Sequence, residues 1–409
     1  AGHDISAGGM ITTLLEMCFA NTEGGMEINL DKFQNTDVVK ALFAENPGVI
    51  IQVSDKNAPA VKKILDDAGV GYLKIGTPTE ERHILVSKDS VTYQFGIDHL
   101  RDVWYTTSYL LDRKQSFHGC AEKRFQNYKQ QPLELAFGPE FTGKLAQYGL
   151  NPDRREASGL KAAVIREKGT NSEREMAYAF WLAGFDVKDV TMTDLISGRE
   201  TLEDVNVIAF CGGFSNSDVL GSAKGWAGGF LYNEKAKAAL DNFYKRTDTL
   251  SLGICNGCQL MQELNLICPD HERRPKMLHN NSHKFESGFI SVVIPENNSV
   301  MFGPLSGSKL GIWIAHGEGK FQLPEKLSEY NVIAKYAYSQ YPANPNGSYA
   351  SVAGIASADG RHLAMMPHLE RAIFPWQCAF YPETKKNNEV TPWIEGFVNA
   401  RKWIEKNKK

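Results

Sequence analysis

What the chain lacks narrows its class first. Only 7 of its 409 residues are cysteine, an odd number spread from Cys18 to Cys378 without the spacing of a disulfide framework. That pattern fits free thiols in a reducing compartment, and the expected location is the cytoplasm. No apolar run approaches the roughly 20 residues that a membrane-spanning helix needs. The opening AGHDISAGG carries neither the charged nor the apolar region of a secretory signal. An excess of positive charge is also missing: 45 Lys and Arg against 48 Asp and Glu leave a net charge of −3, which argues against a nucleic-acid footprint. No internal repeat or low-complexity segment interrupts the chain. With 42% hydrophobic and 23% charged residues, it reads as a globular protein long enough for two or three domains, each with its own core.

What is present centres on one pentapeptide. Gly253-Ile254-Cys255-Asn256-Gly257 directly follows the apolar Leu250-Ser251-Leu252, so a strand delivers a cysteine into a sharp turn before a helix. This is the sulfur counterpart of the G-x-S-x-G nucleophile elbow. Glycine is expected on both flanks because a side chain there would collide with the neighbouring strand or helix, and because the nucleophile's own backbone is strained. A thiol nucleophile needs a base, and MMPHLER supplies His368 and Glu370. Two residues apart in an extended segment, they point the same way, so Glu370 can orient the ring while His368 faces Cys255. The chemistry asks for a neutral imidazole near pH 7, held in one tautomer by the glutamate. Residues 204 to 213, DVNVIAFCGG, form an apolar strand ending at Gly212-Gly213-Phe214. Bare backbone there allows the Gly213 N–H, together with that of Asn256, to receive an oxyanion.

The surrounding pattern sets the architecture. From Leu160 the chain alternates strand, glycine turn and helix: KAAVIREKG, NSEREMAYAFWLAGF, DVKDVTM. Such alternation predicts a mostly parallel sheet wrapped by helices, with the elbow at the C-terminal end of a central strand. Segment 26 to 95 instead mixes short strands (GVIIQVS, GYLKIG, HILVS, VTYQFG) with helical stretches in an α+β manner. Residues 97 to 158 are polar and helix-favouring, and read as a linker. The boundaries expected are therefore 1–96, 97–158 and 159–409. Other chemistry is thinly supported. Cys255 and Cys258 make a single C-x-x-C with no second pair to complete a zinc site. His271, His279 and His283, spaced by eight and four, suit loop positions and have no carboxylate pair beside them.

Taken in order, the cysteine elbow, the GG turn and P-H-x-E resemble the class I (triad) glutamine amidotransferases. Longer segments narrow the resemblance to the glutaminase end of the large-form phosphoribosylformylglycinamidine synthases. They are HDISAGG (3 to 9), LRDVWYTTSYLLDR (100 to 113), GGFSNSDVLGSAKGWA (212 to 227), NNSHKFE (280 to 286), WIAHGEGKF (313 to 321), NPNGS (344 to 348) and PWIEGFVNARKW (392 to 403). The resemblance implies a flavodoxin-like α/β glutaminase domain with helices on both faces of its sheet. Before it would come an α+β remnant of the PurM-like C-terminal synthetase domain, so that the chain is a C-terminal piece of a larger enzyme. It further implies that glutamine sits against Gly212, Phe214, Gln259 and His316, and that the His316–Glu318 segment lines this pocket and does not form a second base pair. Formylglycinamide ribonucleotide, ATP and Mg²⁺ would belong to the synthetase part, with no cofactor required for glutamine hydrolysis. In that part Asp4 would touch the metal and Ser6 a phosphate, although a helix N-cap is the alternative for both. Two positions depart from the family pattern: Leu369 stands where proline is usual, and Ala7 where a carboxylate is usual. The rival expectations are another amidotransferase, a Cys-His hydrolase of similar sheet, and a non-catalytic module.

Overall fold

The computed structural model describes residues 1–34, 36–117 and 119–408. They form two compact units, Ala1–Lys114 and Gln115–Lys409, dividing inside the stretch expected to be a linker. The seven cysteines are all free. No helix among the described residues is long and apolar enough to cross a membrane.

The first unit is α+β. Strand Gly25–Asn29 runs antiparallel to Gly76–Thr79 and parallel to His83–Lys88, which pairs with Val91–Gly96. Helix Gly9–Phe19 buries Met10, Ile11, Leu14, Leu15 and Cys18, the spacing of one helix face, in a core with Ile28, Ile84 and Val86. The expected strand GYLKIG is not one: only Gly76 at its end enters a strand. Ile28 pairs with Gly76 near the end of Gly25–Asn29, so the residues before Gly76 run past the end of their partner. Alternation of apolar residues cannot substitute for a neighbouring edge.

In the second unit the site-bearing elements are β1 (Lys161–Arg166), α1 (Glu173–Ala183), β2 (Asp186–Thr191), β3 (Val207–Phe210), β4 (Leu250–Ile254), α2 (Asn256–Glu263), β5 (Glu286–Val293), β6 (Lys309–His316), β7 (Asn331–Tyr336), β8 (Val352–Ala356), β9 (His362–Met365) and α3 (Ile394–Asn407). The sheet order is β6-β5-β7-β8-β9-β4-β3-β1-β2. Strands β9, β4, β3, β1 and β2 are parallel, and β8, β7, β5 and β6 extend the sheet as an antiparallel arm. Every residue of β3 and β4 is buried; β3 (Val207-Ile208-Ala209-Phe210) is accordingly apolar throughout, and the one polar side chain of β4, Ser251, is hydrogen-bonded to Tyr244 and His362. Helix α1 carries Glu173 and Glu175 in its first turn and ends at Gly184, whose left-handed backbone lets its N–H return to the last turn. Its apolar side packs Phe180 edge-on against Phe397 of α3, with ring centres 5.0 Å apart. Helix α1 packs on β1 and β2 and α3 packs on α1, so the two lie on the same face of the sheet.

Candidate active site

The turn between β4 and α2 is built as the glycine pattern demands. A Cβ on Gly253 would lie 2.5 Å from Met261 Sδ and 2.6 Å from the Gly257 carbonyl oxygen. One on Gly257 would lie 2.2 Å from the carbonyl oxygen of Phe210 in β3. Between them Cys255 adopts φ 53°, ψ −107°, a backbone conformation that costs an L-residue on the order of 1–3 kcal/mol. The surroundings enforce it: the Cys255 N–H donates to the Met365 carbonyl at 2.9 Å, and its own carbonyl receives the Gln259 N–H at 3.0 Å. The thiol, 4% exposed, lies 3.5 Å from the Ala315 carbonyl oxygen.

His368 meets this thiol from the far side of Gly212. A Cβ at Gly212 would lie 2.6 Å from His368 Cε1 and 3.2 Å from Cys255 Cβ, so only glycine leaves the two side chains room to face one another. The His368 N–H donates to the Trp313 carbonyl at 2.9 Å, fixing the backbone that presents the ring. Its Nδ1 is 2.6 Å from Glu370 Oε1, and both side chains are buried. Leu369, in the position where proline was expected, is itself fully buried and packs towards Gly396 of α3. Its side chain serves the core, leaving the His368–Glu370 contact intact.

The two segments expected to supply backbone donors lie next to Cys255 in chain or in the cavity lining. Gly212–Gly213 pairs antiparallel with Thr170–Asn171. The Phe214 N–H donates to the Gly169 carbonyl at 2.8 Å, so the alternation of an antiparallel ladder turns the Gly213 N–H away from that pairing. Gly213 has φ 115°, and a Cβ there would strike the Gly169 carbonyl oxygen at 2.6 Å. The Asn256 N–H opens α2, where first-turn donors have no partner within the helix. The Asn256 side chain locks the two segments together, accepting from the Ser215 N–H at 3.0 Å and donating to Gln259 Oε1 at 2.9 Å. Beside Cys255 opens a cavity of ≈ 260 Å³ lined by Gly213, Phe214, Asp218, Gln259, His316 and Glu318 among others.

A family model described as CobB/CobQ-like glutamine amidotransferase domain matches residues 159–404, more than half of the chain. The chain belongs to this amidotransferase family. A second model, AIR synthase related protein, C-terminal domain, matches residues 1–88. A protein of Arabidopsis thaliana named probable phosphoribosylformylglycinamidine synthase, chloroplastic/mitochondrial, is 40% identical over 99% of this chain and 30% of its own length. The phosphoribosylformylglycinamidine synthase of Homo sapiens is 40% identical over 98% of this chain and 32% of its own. The chain thus spans about a third of the length of these curated relatives. The solved structure titled PurLQS from Thermotoga maritima is 25% identical, with a TM-score of 0.47, over 61% of this chain and 99% of that one. The resemblance read from the sequence is borne out at the level of family and fold.

Within the amidotransferase unit, the charge state of His368 departs from expectation. Burial opposes a charged ring, but the Glu370 carboxylate, with the Cys255 side chain next, raises His368 to about 10. Glu370, which burial pushes up, is held below the usual carboxylate range by the His368 charge. At neutral pH the ring is therefore an imidazolium instead of the neutral base expected. The raised His368 contributes stability fully below its ordinary 6.5 and loses it as pH rises towards about 10. The lowered Glu370 contributes above its ordinary 4.5 and loses its part as pH falls through its lowered value. Replacing Glu370 with Gln should therefore lower the melting temperature most between about pH 4.5 and 6.5, with the gap to wild type closing towards pH 10. Thermal melts across that range check it; a gap that widens with pH would contradict the ion pair.

The other sequence candidates fall in different places. His316 lines the cavity and is 2% exposed, with neither ring nitrogen hydrogen-bonded among the described residues. Burial lowers it to about 4, with the His368 charge adding to the effect. Gln259 also lines the cavity, but its amide is engaged at both ends, by Asn256 and by the Glu318 carbonyl at 2.8 Å. Phe214 is half-exposed at the rim, its ring centre 5.8 Å from that of Phe285. His279 and His283 reach the cavity while His271 packs on Tyr330, and no group of three metal-ligating side chains exists among the described residues. Asp4 and Ser6, in the first unit, are exposed, and neither caps helix Gly9–Phe19, whose N-cap is Gly8. The Asp4 carboxylate is 72% exposed with His3 Nδ1 at 3.6 Å, and among the described residues it joins no group of three metal-ligating side chains. Sequence reasoning did not reach Asp218 or Ser222. The signal was the polar run Ser215-Asn216-Ser217-Asp218, whose last three residues adopt left-handed backbone (φ 51°, 57° and 47°), which Asn and Asp tolerate better than most.

Proposed function

We propose that this chain hydrolyses the side-chain amide of glutamine on Cys255, His368 and Glu370, and that the ammonia serves ATP-dependent conversion of formylglycinamide ribonucleotide to its amidine in purine biosynthesis. The observation that carries the first part is a strained, buried Cys255 facing His368, which is itself paired with Glu370 at 2.6 Å. Cys255 attacks the amide carbon as a thiolate, forming a C–S bond, and the developing oxyanion is received by the Gly213 and Asn256 N–H groups. The His368 imidazolium gives its proton to the amide nitrogen, the C–N bond breaks and ammonia leaves. Neutral His368 then takes a proton from water, whose oxygen attacks the γ-glutamyl thioester; the C–S bond breaks, releasing glutamate and restoring the thiolate–imidazolium pair. Glu370 stays ionised throughout and keeps the ring oriented. Only side chains, backbone, water and glutamine take part in this half.

The acceptor half rests on the names of the relatives and on the AIR synthase related match at residues 1–88. Mg²⁺ and ATP belong to that half. A reducing, cytoplasmic setting suits the seven free thiols. The test is peptide-mapped mass spectrometry after exposure to an amino-acid chloromethyl ketone shaped like glutamine. A single adduct on Cys255, suppressed by excess glutamine, is expected; reaction that glutamine leaves untouched would favour a Cys-His hydrolase of another substrate class.

A further inference from the structure

The oxyanion chemistry engages the backbone N–H of Asn256 and leaves its side chain without a part in the reaction. That side chain is fully buried at the start of α2, yet each of its polar atoms is engaged. Oδ1 accepts from the Ser215 N–H at 3.0 Å, and Nδ2 donates to Gln259 Oε1 at 2.9 Å and to Asp218 Oδ1 at 3.2 Å. The stretch it reaches is the one that follows Gly213. There the backbone donors alternate in direction: Phe214 and Asn216 give their N–H groups to the Gly169 and Lys168 carbonyls at 2.8 and 2.7 Å, whereas Ser215 between them turns towards the elbow. The same alternation puts the Gly213 N–H on the elbow side. What the carboxamide grips would not rest there unaided. Asn216, Ser217 and Asp218 all adopt left-handed backbone, and such a run persists only where neighbours impose it. The stretch is held at both ends, at the Ser215 N–H before the run and at the Asp218 carboxylate that closes it. Gln259 is itself fixed, since its amide nitrogen donates to the Glu318 carbonyl at 2.8 Å, so its Oε1 stays turned to Asn256. The Ser215 hydroxyl, also buried, has no partner among the described residues and adds no second tie.

We propose that the Asn256 carboxamide is a positioning group for the reaction at Cys255: it aims the Gly213 N–H and holds it at a fixed separation from the N–H of Asn256 itself. This rests on the glutaminase reading and deepens it. Donors set in this way cost no reorganisation when negative charge develops on the amide oxygen. Without the carboxamide the left-handed run is free to relax, and the Gly213 donor moves with it. The loss falls on the transition state and not on bound glutamine, whose neutral carbonyl gains little from these donors.

The experiment measures three properties of the full chain and of Asn256→Ala: ammonia release from glutamine, reversible inhibition by an amino-acid γ-aldehyde of glutamine length, and the rate at which iodoacetamide alkylates Cys255. The aldehyde adds to the thiolate, forming a C–S bond and placing negative charge on its oxygen, as the reaction does. Iodoacetamide is attacked at its methylene carbon with loss of iodide and forms no oxyanion. In Asn256→Ala kcat should fall by about 10²-fold, the scale of one displaced oxyanion donor, with KM within about threefold of wild type. Aldehyde affinity should fall in step with kcat, while the iodoacetamide rate stays within about twofold. Asp218→Ala, which frees one end of the grip, should lose part of kcat with the same pattern and keeps the test available if Asn256→Ala does not fold. A folded Asn256→Ala that keeps kcat within about threefold, or one whose iodoacetamide rate falls as far as kcat, would overturn the positioning role. Where wild type hydrolyses glutamine, that failure leaves the glutaminase reading standing. Wild type that releases no ammonia, and binds the aldehyde no better than propanal, would sink both readings together.

Discussion

Replacing Cys255 with alanine should abolish ammonia release from glutamine, by on the order of 10⁴-fold or more, with the fold intact. The side chain is small and its sulfur makes a long, 3.5 Å contact with the Ala315 carbonyl oxygen, so little packing is lost. Alanine also relieves none of the elbow strain, since the conformation at φ 53° is imposed by the Met365 and Gln259 hydrogen bonds. His368→Ala should cost a comparable factor, and the double variant should be scarcely worse than either single one, because nucleophile and proton donor act as a unit. Glutamate and ammonia production, measured with melting temperature on the same preparations, checks this. Additive losses in the double variant would mean that Cys255 and His368 do not work in one mechanism.

Replacing Gly257 with alanine should damage both stability and activity, although the change is one methyl group on a helix. The added carbon would lie 2.2 Å from the Phe210 carbonyl oxygen and 2.7 Å from its carbonyl carbon, and this is backbone of the central strand β3. No rotamer can relieve such a contact; strand or helix must shift, at about 1–3 kcal/mol or more. For a unit of this size that corresponds to a fall in melting temperature of at least about 3 °C. The same shift carries the Asn256 N–H off the oxyanion position, so activity should fall further than stability. Gly288→Ala in β5 is the control, since a Cβ there meets nothing within 4 Å and its φ is not in the left-handed region. Thermal melts of the two variants should diverge; equal melting temperatures would show that the elbow tolerates a side chain.

The parts of the site that were legible beforehand share one property: they are short-range. Gly253 and Gly257 flank Cys255 within five residues, and His368 and Glu370 stand two apart, so spacing alone puts each set on one turn or one side of the chain. The alternation of strand, glycine turn and helix from Leu160 pointed to a parallel sheet wrapped by helices in the same way. Where local pattern misled, the deciding partner was distant. GYLKIG alternates like a strand, but Gly25–Asn29 ends where Gly76 begins to pair. A lone histidine in water would be half neutral near pH 6.5. The Glu370 carboxylate 2.6 Å away favours a charged His368 although burial opposes it, a balance that no spacing reveals.

Steric limits on the backbone act over a few residues, so local pattern was enough to place Cys255 in a turn at the end of a buried parallel strand and His368 and Glu370 together on one short segment. Tertiary structure alone decided what that cysteine would meet. Folding the antiparallel arm against the parallel strands brings Ala315, His316 and Glu318 to the thiol, sets Asp218 beside Glu318, and removes water from the His368–Glu370 pair. Charge and selectivity arise from contacts between distant segments in a space of low polarity, and those contacts exist only once the chain has closed around them.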